Sequence, residues 1–244
     1  MKKIDLISFA TADELARTVA GQWLDEIEAA HRAGRSHCVA LSGGRITQKF
    51  FTATVEQAQT RGIAFGNCHF FWADERCLPP TDPESNFKLA NDLLFTQLGN
   101  IAENQIHRLR GEDIPSAAVK AAESEVCRIV GLGKNQRPVL DLVLLGMGED
   151  GHVASLFPNA GPDILSCAAT FLAVDNSPKP PPTRISLSYA AIAAARQVWV
   201  LVSGAGKADA LSETLKTNGR TPLARVIRSR PATKMFSDLP KSAL

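Results

Sequence analysis

No stretch of this chain is apolar for long enough to cross a membrane, and its N-terminus carries no signal-type apolar run. It has no block of charge of one sign, and the net charge is only +2. That balance argues against nucleic acid as the main partner, although a local basic patch could still bind phosphate. No two of the five cysteines, Cys38, Cys68, Cys77, Cys127 and Cys167, form a C-x-x-C pair. Neither a zinc site nor a disulfide framework is implied. Cys38 and Cys68 lie in strand-like apolar runs and are expected to be buried, reduced thiols. No set of histidines, cysteines and carboxylates has the spacing of metal ligands. Internal repeats, low-complexity tracts and domain linkers are missing as well. With 244 residues, 45% of them apolar, the chain is expected to form one domain over 1–244. These absences point to a soluble cytoplasmic protein with neither membrane nor nucleic-acid partner.

What is present centres on one stretch, Leu140 to Pro158. Leu140-Asp141-Leu142-Val143-Leu144-Leu145 has the length and weak alternation of a strand buried on both faces. It breaks into Gly146, Gly148 and Gly151, and Asp150 and His152 stand at that turn. A titratable pair at the end of a buried strand sits where open α/β sheets bind ligands. The three glycines also match the dinucleotide fingerprint G-x-G-x-x-G, with Asp175 about the right distance on. Against that reading, Pro158 would end the long helix the fingerprint needs, and His152 stands where a small residue should pack.

Along the chain, apolar and amphipathic segments alternate. A short apolar start near 4–9 is followed by Thr11 and Glu14, a capping-box pair. Leu15, Val19, Trp23 and Ile27 then recur at helical spacing, to a stop near Gly34. Cys38–Leu41 reads as a strand broken by Ser42-Gly43-Gly44, and Ile46 to about Gln59 as a helix. His69–Trp72 is a strand ending at Ala73-Asp74-Glu75-Arg76, and a proline-rich loop follows. Ser85 suits the cap of a helix carrying Phe87, Leu89, Leu93 and Leu94. A further helix is expected over about 116–130. After Pro158 the pattern is loop-like up to a strand near 171–174. Pro178 to Pro182 is a stiff segment, 185–195 fits strand or helix, and Val198–Val202 is a β-branched strand. Helix follows Lys207, and Lys234-Met235-Phe236 is a possible edge strand. The alternation predicts an α/β fold, a mostly parallel sheet with helices on both faces.

Three strands thus end in glycine turns, at Ser42-Gly43-Gly44, at Gly146 to Gly151 and at Ser203-Gly204-Ala205-Gly206. In a parallel sheet those ends share one edge, where backbone N–H groups make an anion site. Lys207 stands ready to add a point charge, and Arg184 is a second cation. A single glycine turn is often geometry alone; three together favour a phosphorylated small molecule. Asp74-Glu75-Arg76 fits either a solvated loop or a cleft that uses Arg76 as oxyanion or substrate clamp. Beside Asp150, His152 is the candidate general base, its ordinary pKa of about 6.5 suiting such work. His31, His37, His69 and His107 lack such company and read as surface or packing residues.

Taken together, Leu41-Ser42-Gly43-Gly44, Trp72 to Arg76, Ser85-Asn86, Gly146 to Pro158, Pro182 to Leu187 and Ser203 to Ala208 resemble the 6-phosphogluconolactonases of the glucosamine-6-phosphate isomerase/deaminase superfamily. The resemblance covers about 40 to 210. It implies an isomerase-type doubly wound fold and hydrolysis of 6-phospho-D-glucono-1,5-lactone in the oxidative pentose phosphate pathway. No metal or cofactor is implied, and the expected partner is the sugar phosphate alone, bound by a monomer or weak homodimer. Catalysis would fall to His152, with Asp150 and Arg76. Substrate and phosphate would be held by Ser42, Gly43, Gly44, Arg45, Asp74, Asn86, Gly148, Gly151, Arg184 and Lys207. The family commonly has serine-threonine-proline after Gly44; here Arg45, Ile46 and Thr47 stand there, so a hydroxyl donor is lost or replaced by Arg45 or Thr47. The deaminases of the superfamily typically carry an acid two residues after a phenylalanine beyond the histidine, and a tyrosine at the Arg76 position. Ser155-Leu156-Phe157-Pro158 and Arg76 depart from both. A sugar-phosphate sensor on the same fold would have no need of a base.

Overall fold

Apolar runs of four to six residues become strands, and the amphipathic segments between them become the helices that cover the sheet. The computed structural model describes residues 3–133 and 136–240. In chain order the elements are β1 (Lys3–Ser8), α1 (Ala12–Arg32), β2 (His37–Leu41), α2 (Arg45–Arg61), β3 (Cys68–Trp72), β4 (Asp74–Arg76) and α3 (Asn86–Ala90). A π-helical turn, Asn91–Phe95, carries α3 into α4 (Thr96–Leu98), and α5 (Pro115–Ile129) follows. The second half contains β5 (Leu142–Gly146), α6 (Pro162–Ser166), β6 (Phe171–Val174), β7 (Arg184–Leu187), α7 (Tyr189–Ala194) and β8 (Gln197–Val202). It ends with α8 (Ala208–Leu215), α9 (Pro222–Ser229) and β9 (Ala232–Ser237).

Six strands form a sheet in the order β1-β9-β8-β5-β2-β3, every neighbouring pair parallel. Alternating residues of β3 show the layers. Phe70 meets Trp23 of α1 and Phe95 edge-on, while Phe71 stacks on His107, which is bonded to Glu125 of α5. Helices therefore cover both faces, as the alternation requires. β2, β5 and β8 are almost wholly buried, which explains their continuous apolar sequences. Cys38 and Cys68 are buried thiols, and burial pushes Cys38 up to about 12.

Several sequence expectations need correction. The strand at Lys234-Met235-Phe236 is not an edge: β9 lies between β1 and β8, and β1 and β3 are the edges. Its alternation reflected a strand but not its neighbours. Asp74-Glu75-Arg76 is not a solvated loop but β4, the first strand of an antiparallel sheet β4-β7-β6. The segment 185–195 is both strand and helix, β7 then α7. No helix follows Gly151, only turns to Phe157, and Asp175 follows β6 in the antiparallel sheet. Both facts remove the dinucleotide reading. His69 and His107 do have company. With Glu125 they form a chain, His69 Nδ1 to His107 Nε2 at 2.9 Å and His107 Nδ1 to Glu125 at 2.7 Å.

Candidate active site

β2, β5 and β8 lie side by side and parallel, so the turns after them meet at one sheet edge. There a cleft of about 560 Å3, counting its open mouth, is lined by Ser42, Gly43, Gly44, Arg45, Asp74, Arg76, Asn86, Gly148, His152, Arg184 and Lys207. The sequence reading named all of these. Gly146 and Met147 of the second glycine turn also line it, as do Ile46 and Ala154, which the sequence reading missed because apolar side chains carry no chemical signal. Gly151 is the one proposed binding residue with no place in the lining. It is buried with φ +78°, and a Cβ there would lie 2.6 Å from Thr221, so its glycine answers a turn and a helix start. Asp150 stands behind His152 rather than facing the cleft.

His152 is held on several sides. Its Nδ1 lies 2.5 Å from Asp150 Oδ1. A carboxylate only accepts, so Nδ1 carries the hydrogen and Nε2 keeps a free lone pair. Burial pushes the imidazole pKa down, with Asp150 opposing and Lys179 reinforcing the shift. The imidazole is therefore neutral near neutrality, a form able to accept a proton. The ring also leans on Phe157, centroids 4.7 Å apart, and the Arg184 guanidinium lies 5.6 Å from the centroid of that phenyl. Gly148 makes room, since a Cβ there would lie 2.1 Å from the imidazole.

On the far wall, β4 delivers Asp74 and Arg76. Asp74 accepts from Ser155 Oγ at 2.7 Å and from Asn86 Nδ2 at 3.3 Å. Ser155 thus fixes Asp74. Between Asp74 and Arg76, Glu75 points inward and takes N–H bonds from Arg76, Asn86 and Phe87 and a hydroxyl bond from Ser85, at 2.7–3.0 Å. One buried carboxylate so ties β4 to the start of α3 and sets both Arg76 and Asn86. Arg76 Nη1 donates to the Glu84 carbonyl, while its buried Nε has no acceptor. Asn86 leans so close to the first turn that a Cβ on Gly43 would lie 1.9 Å from its Oδ1.

Cations gather at the other end. α2 starts at Gly44 without a side-chain cap, whereas α1, α3, α7 and α9 are each capped by a serine or threonine hydroxyl. Its first N–H groups are left for another acceptor, the arrangement that binds anions. Arg45 lines the cleft at this point. Thr47 cannot replace the absent hydroxyl, because its Oγ1 donates to the Gly43 carbonyl. Burial pushes the Lys207 ammonium down, and Arg45 adds to the shift. Arg184 is buried and spends Nε and Nη2 on the carbonyls of Lys179, Pro180 and Pro181. Among the described residues, no group of three or more histidines, cysteines or carboxylates could hold a metal ion, and no helix is long and apolar enough to cross a membrane.

Comparison with known proteins gives a consistent picture. The sequence model of the family described as glucosamine-6-phosphate isomerases/6-phosphogluconolactonase matches residues 10–235. A 6-phosphogluconolactonase of Mycobacterium tuberculosis is 37% identical over 213 residues, 85% of this chain and 84% of the relative. One from Haemophilus influenzae is 33% identical over 241 residues, covering 96% and 97%. Among solved structures, the 6-phosphogluconolactonase of Trypanosoma cruzi superposes with a TM-score of 0.84 at 25% identity, over 97% of this chain and 96% of that one.

Proposed function

The chain belongs to the glucosamine-6-phosphate isomerase/6-phosphogluconolactonase family, and from that premise we propose that it hydrolyses 6-phospho-D-glucono-1,5-lactone to 6-phosphogluconate, with His152 as the base. One observation carries the mechanism: the Asp150–His152 bond of 2.5 Å leaves Nε2 unprotonated at a cleft whose other end is cationic.

A δ-lactone is an activated ester, so the enzyme has modest work to do. Nε2 takes a proton from water as its oxygen adds to C1, and the carbonyl electrons move onto oxygen. Arg76, which lines the cleft, or the turn N–H groups, offset that charge. Protonated His152 then gives its proton to the ring oxygen as the C1–O bond breaks. Asp150 holds the tautomer and offsets the imidazolium charge. The phosphate lies against the α2 N-terminus, Arg45 and Lys207. Arg76 favours the lactonase over the deaminase, since a cation suits an oxyanion. A soluble cytoplasmic enzyme, monomeric or weakly dimeric, fits this substrate.

The test is hydrolysis of freshly generated lactone by purified protein, corrected for spontaneous hydrolysis. His152→Ala should lose about 10²–10⁴-fold in kcat, and His152→Gln nearly as much. A fully active His152→Gln enzyme would end this mechanism. Activity should survive exhaustive chelation; loss restored by one metal ion would show that a metal takes part.

A further inference from the structure

The cleft of His152 lies at the C-terminal edge of the parallel sheet. At the opposite edge, where β1, β8 and β9 begin, there is a second cavity of about 510 Å3, counting its open mouth. Trp199, Arg230, Thr233 and Lys234 are among its walls. β8 runs from this cavity toward the cleft, and its six residues at about 3.3 Å each set the two about 20 Å apart. The mechanism above makes no use of this end of the molecule.

Two polar groups in the walls are left incomplete by the protein. Arg230 is only 3% exposed, and among the described residues no carboxylate pairs with it. Its Nε donates to the Ala232 carbonyl at 2.6 Å, and Nη1 to the carbonyls of Ile192, Ala195 and Ala193 at 2.8, 3.2 and 3.5 Å. Nη2 reaches the Arg196 carbonyl alone, at 3.4 Å. A guanidinium has five N–H donors, two of them on Nη2, so one is left without an acceptor among the described residues. Three residues on, Thr233 is 2% exposed and its Oγ1 has no hydrogen-bond partner. Buried donors of both kinds ordinarily find one, because leaving them unpaired is costly.

The charges around the cavity decide what would complete them. Arg196 is answered by Asp141, Nε to Oδ1 at 3.2 Å. Lys234 stands opposite Asp5 in the β1–β9 register, bonded to Gln22 at 3.3 Å and with its ammonium 4.9 Å from the centre of the Trp199 ring. The Arg230 charge is the one left over, and a single buried cation suits a monoanion better than a doubly charged phosphate. Val198, Trp199 and Ala232 make the rest of the wall apolar. We propose that this cavity binds a small organic carboxylate with an apolar body, the carboxylate accepting from Arg230 Nη2 and Thr233 Oγ1 and the body lying against Val198, Trp199 and Ala232. A volume of this size is that of a small-molecule site. The site is separate from the cleft of His152 and does not depend on the lactonase reading.

The experiment titrates the full chain with benzoate, hexanoate, neutral benzamide and inorganic phosphate, following the Trp199 indole N–H by NMR and the affinity by calorimetry. Benzoate or hexanoate should shift the Trp199 signal saturably, and benzamide should bind about tenfold more weakly than benzoate. Replacing Arg230 would release the carbonyls at the end of α7, so two milder variants carry the test. Thr233→Val keeps the shape but removes the hydroxyl, and should weaken carboxylate binding about fivefold. Ala232→Leu, at an exposed position, narrows the cavity and should abolish the shift, while circular dichroism shows both variants folded. Lys207→Gln separates the two sites, since it alters the other cleft and should leave the Trp199 titration unchanged. No saturable shift with either carboxylate, equal binding of benzamide, or parent-like affinity in both Thr233→Val and Ala232→Leu would overturn the proposal. So would a shift produced by inorganic phosphate alone.

Discussion

At the residue scale the imidazole of His152 is held from three directions: Asp150 behind, Phe157 alongside, and the bare backbone of Gly148 beneath. Each contact makes a separate expectation. Gly148→Ala puts a methyl 2.1 Å from the ring, so the ring must turn away from the cleft. A displacement of about 1 Å can cost about 10²-fold in rate; kcat should fall by that order while the melting temperature barely moves. Equal loss of both would mean the glycine serves folding instead. Asp150→Asn keeps the size of the side chain, but its amide N–H can face Nδ1 and fix the wrong tautomer. A kcat loss of about 10²–10⁴-fold is expected, and near-parent activity would remove Asp150 from the mechanism. In the parent, burial lowers the His152 pKa. The acid limb of kcat/KM should therefore have its midpoint below the ordinary imidazole value of about 6.5, activity being full above it and lost as pH falls through it. A midpoint clearly above 6.5 would contradict the burial argument.

Among the elements, β4 shows best what three residues can do when one of them is a buried carboxylate. Glu75 accepts from Arg76, Asn86, Phe87 and Ser85, so Glu75→Ala strands several donors at once. The loss should be about 2–4 kcal/mol, a fall of about 5–15 °C in melting temperature for a chain of this size. kcat/KM should fall with it, because Arg76 and Asn86 share the same anchor. An unchanged melting temperature with full activity would show that water replaces the latch. β4 also marks where sequence reading stops. β2, β5 and β8 were legible because burial on both faces writes a continuous apolar run, and parallel pairing puts their glycine turns at one edge. Asp-Glu-Arg has no such pattern; its strand exists because β7 pairs with it residue by residue. α9 was overlooked for a related reason. Its buried Leu223, Val226 and Ile227 are interleaved with Arg225 and Arg228, so the segment shows no clear apolar run. Within the site, side chains that touch the cleft were legible from charge and glycine, whereas Ser155, Phe157 and Glu75 act through other residues and became visible only as contacts.

Over the whole molecule, four of the five histidines share one property: burial pushes the pKa of His37, His69, His107 and His152 down. Their bonding explains why protonation is resisted. The Trp23 indole N–H donates to His37 Nε2 at 3.2 Å, and an indole cannot accept, so a proton on Nε2 would break that bond. Glu125 accepts from His107 Nδ1, which leaves His107 Nε2 to accept from His69 Nδ1. Adding a proton to His107 sets two N–H groups against each other. The folded state thus binds fewer protons than the unfolded chain near pH 6. Stability is fully present above the unfolded imidazole pKa of about 6.5, and falls as pH drops below it toward the lower folded values. Glu125, held down to about 2 by Arg128 and His107, works lower on the scale. Its contribution persists above the unfolded carboxyl value of about 4.3 and is lost only below that, so it does not obscure the histidine window. Losing the His37 and His107 bonds at about 1 kcal/mol each, plus part of the His69 contribution, amounts to about 2–3 kcal/mol. That corresponds to a melting temperature about 5–10 °C lower at pH 5 than at pH 7.5. The attribution can be checked with His107→Gln, whose amide can donate to Glu125 but does not titrate; its melting temperature should depend less steeply on pH across this window. A parent protein equally stable at both values, or a variant with the same slope, would show that the histidine chain does not set the acid limit.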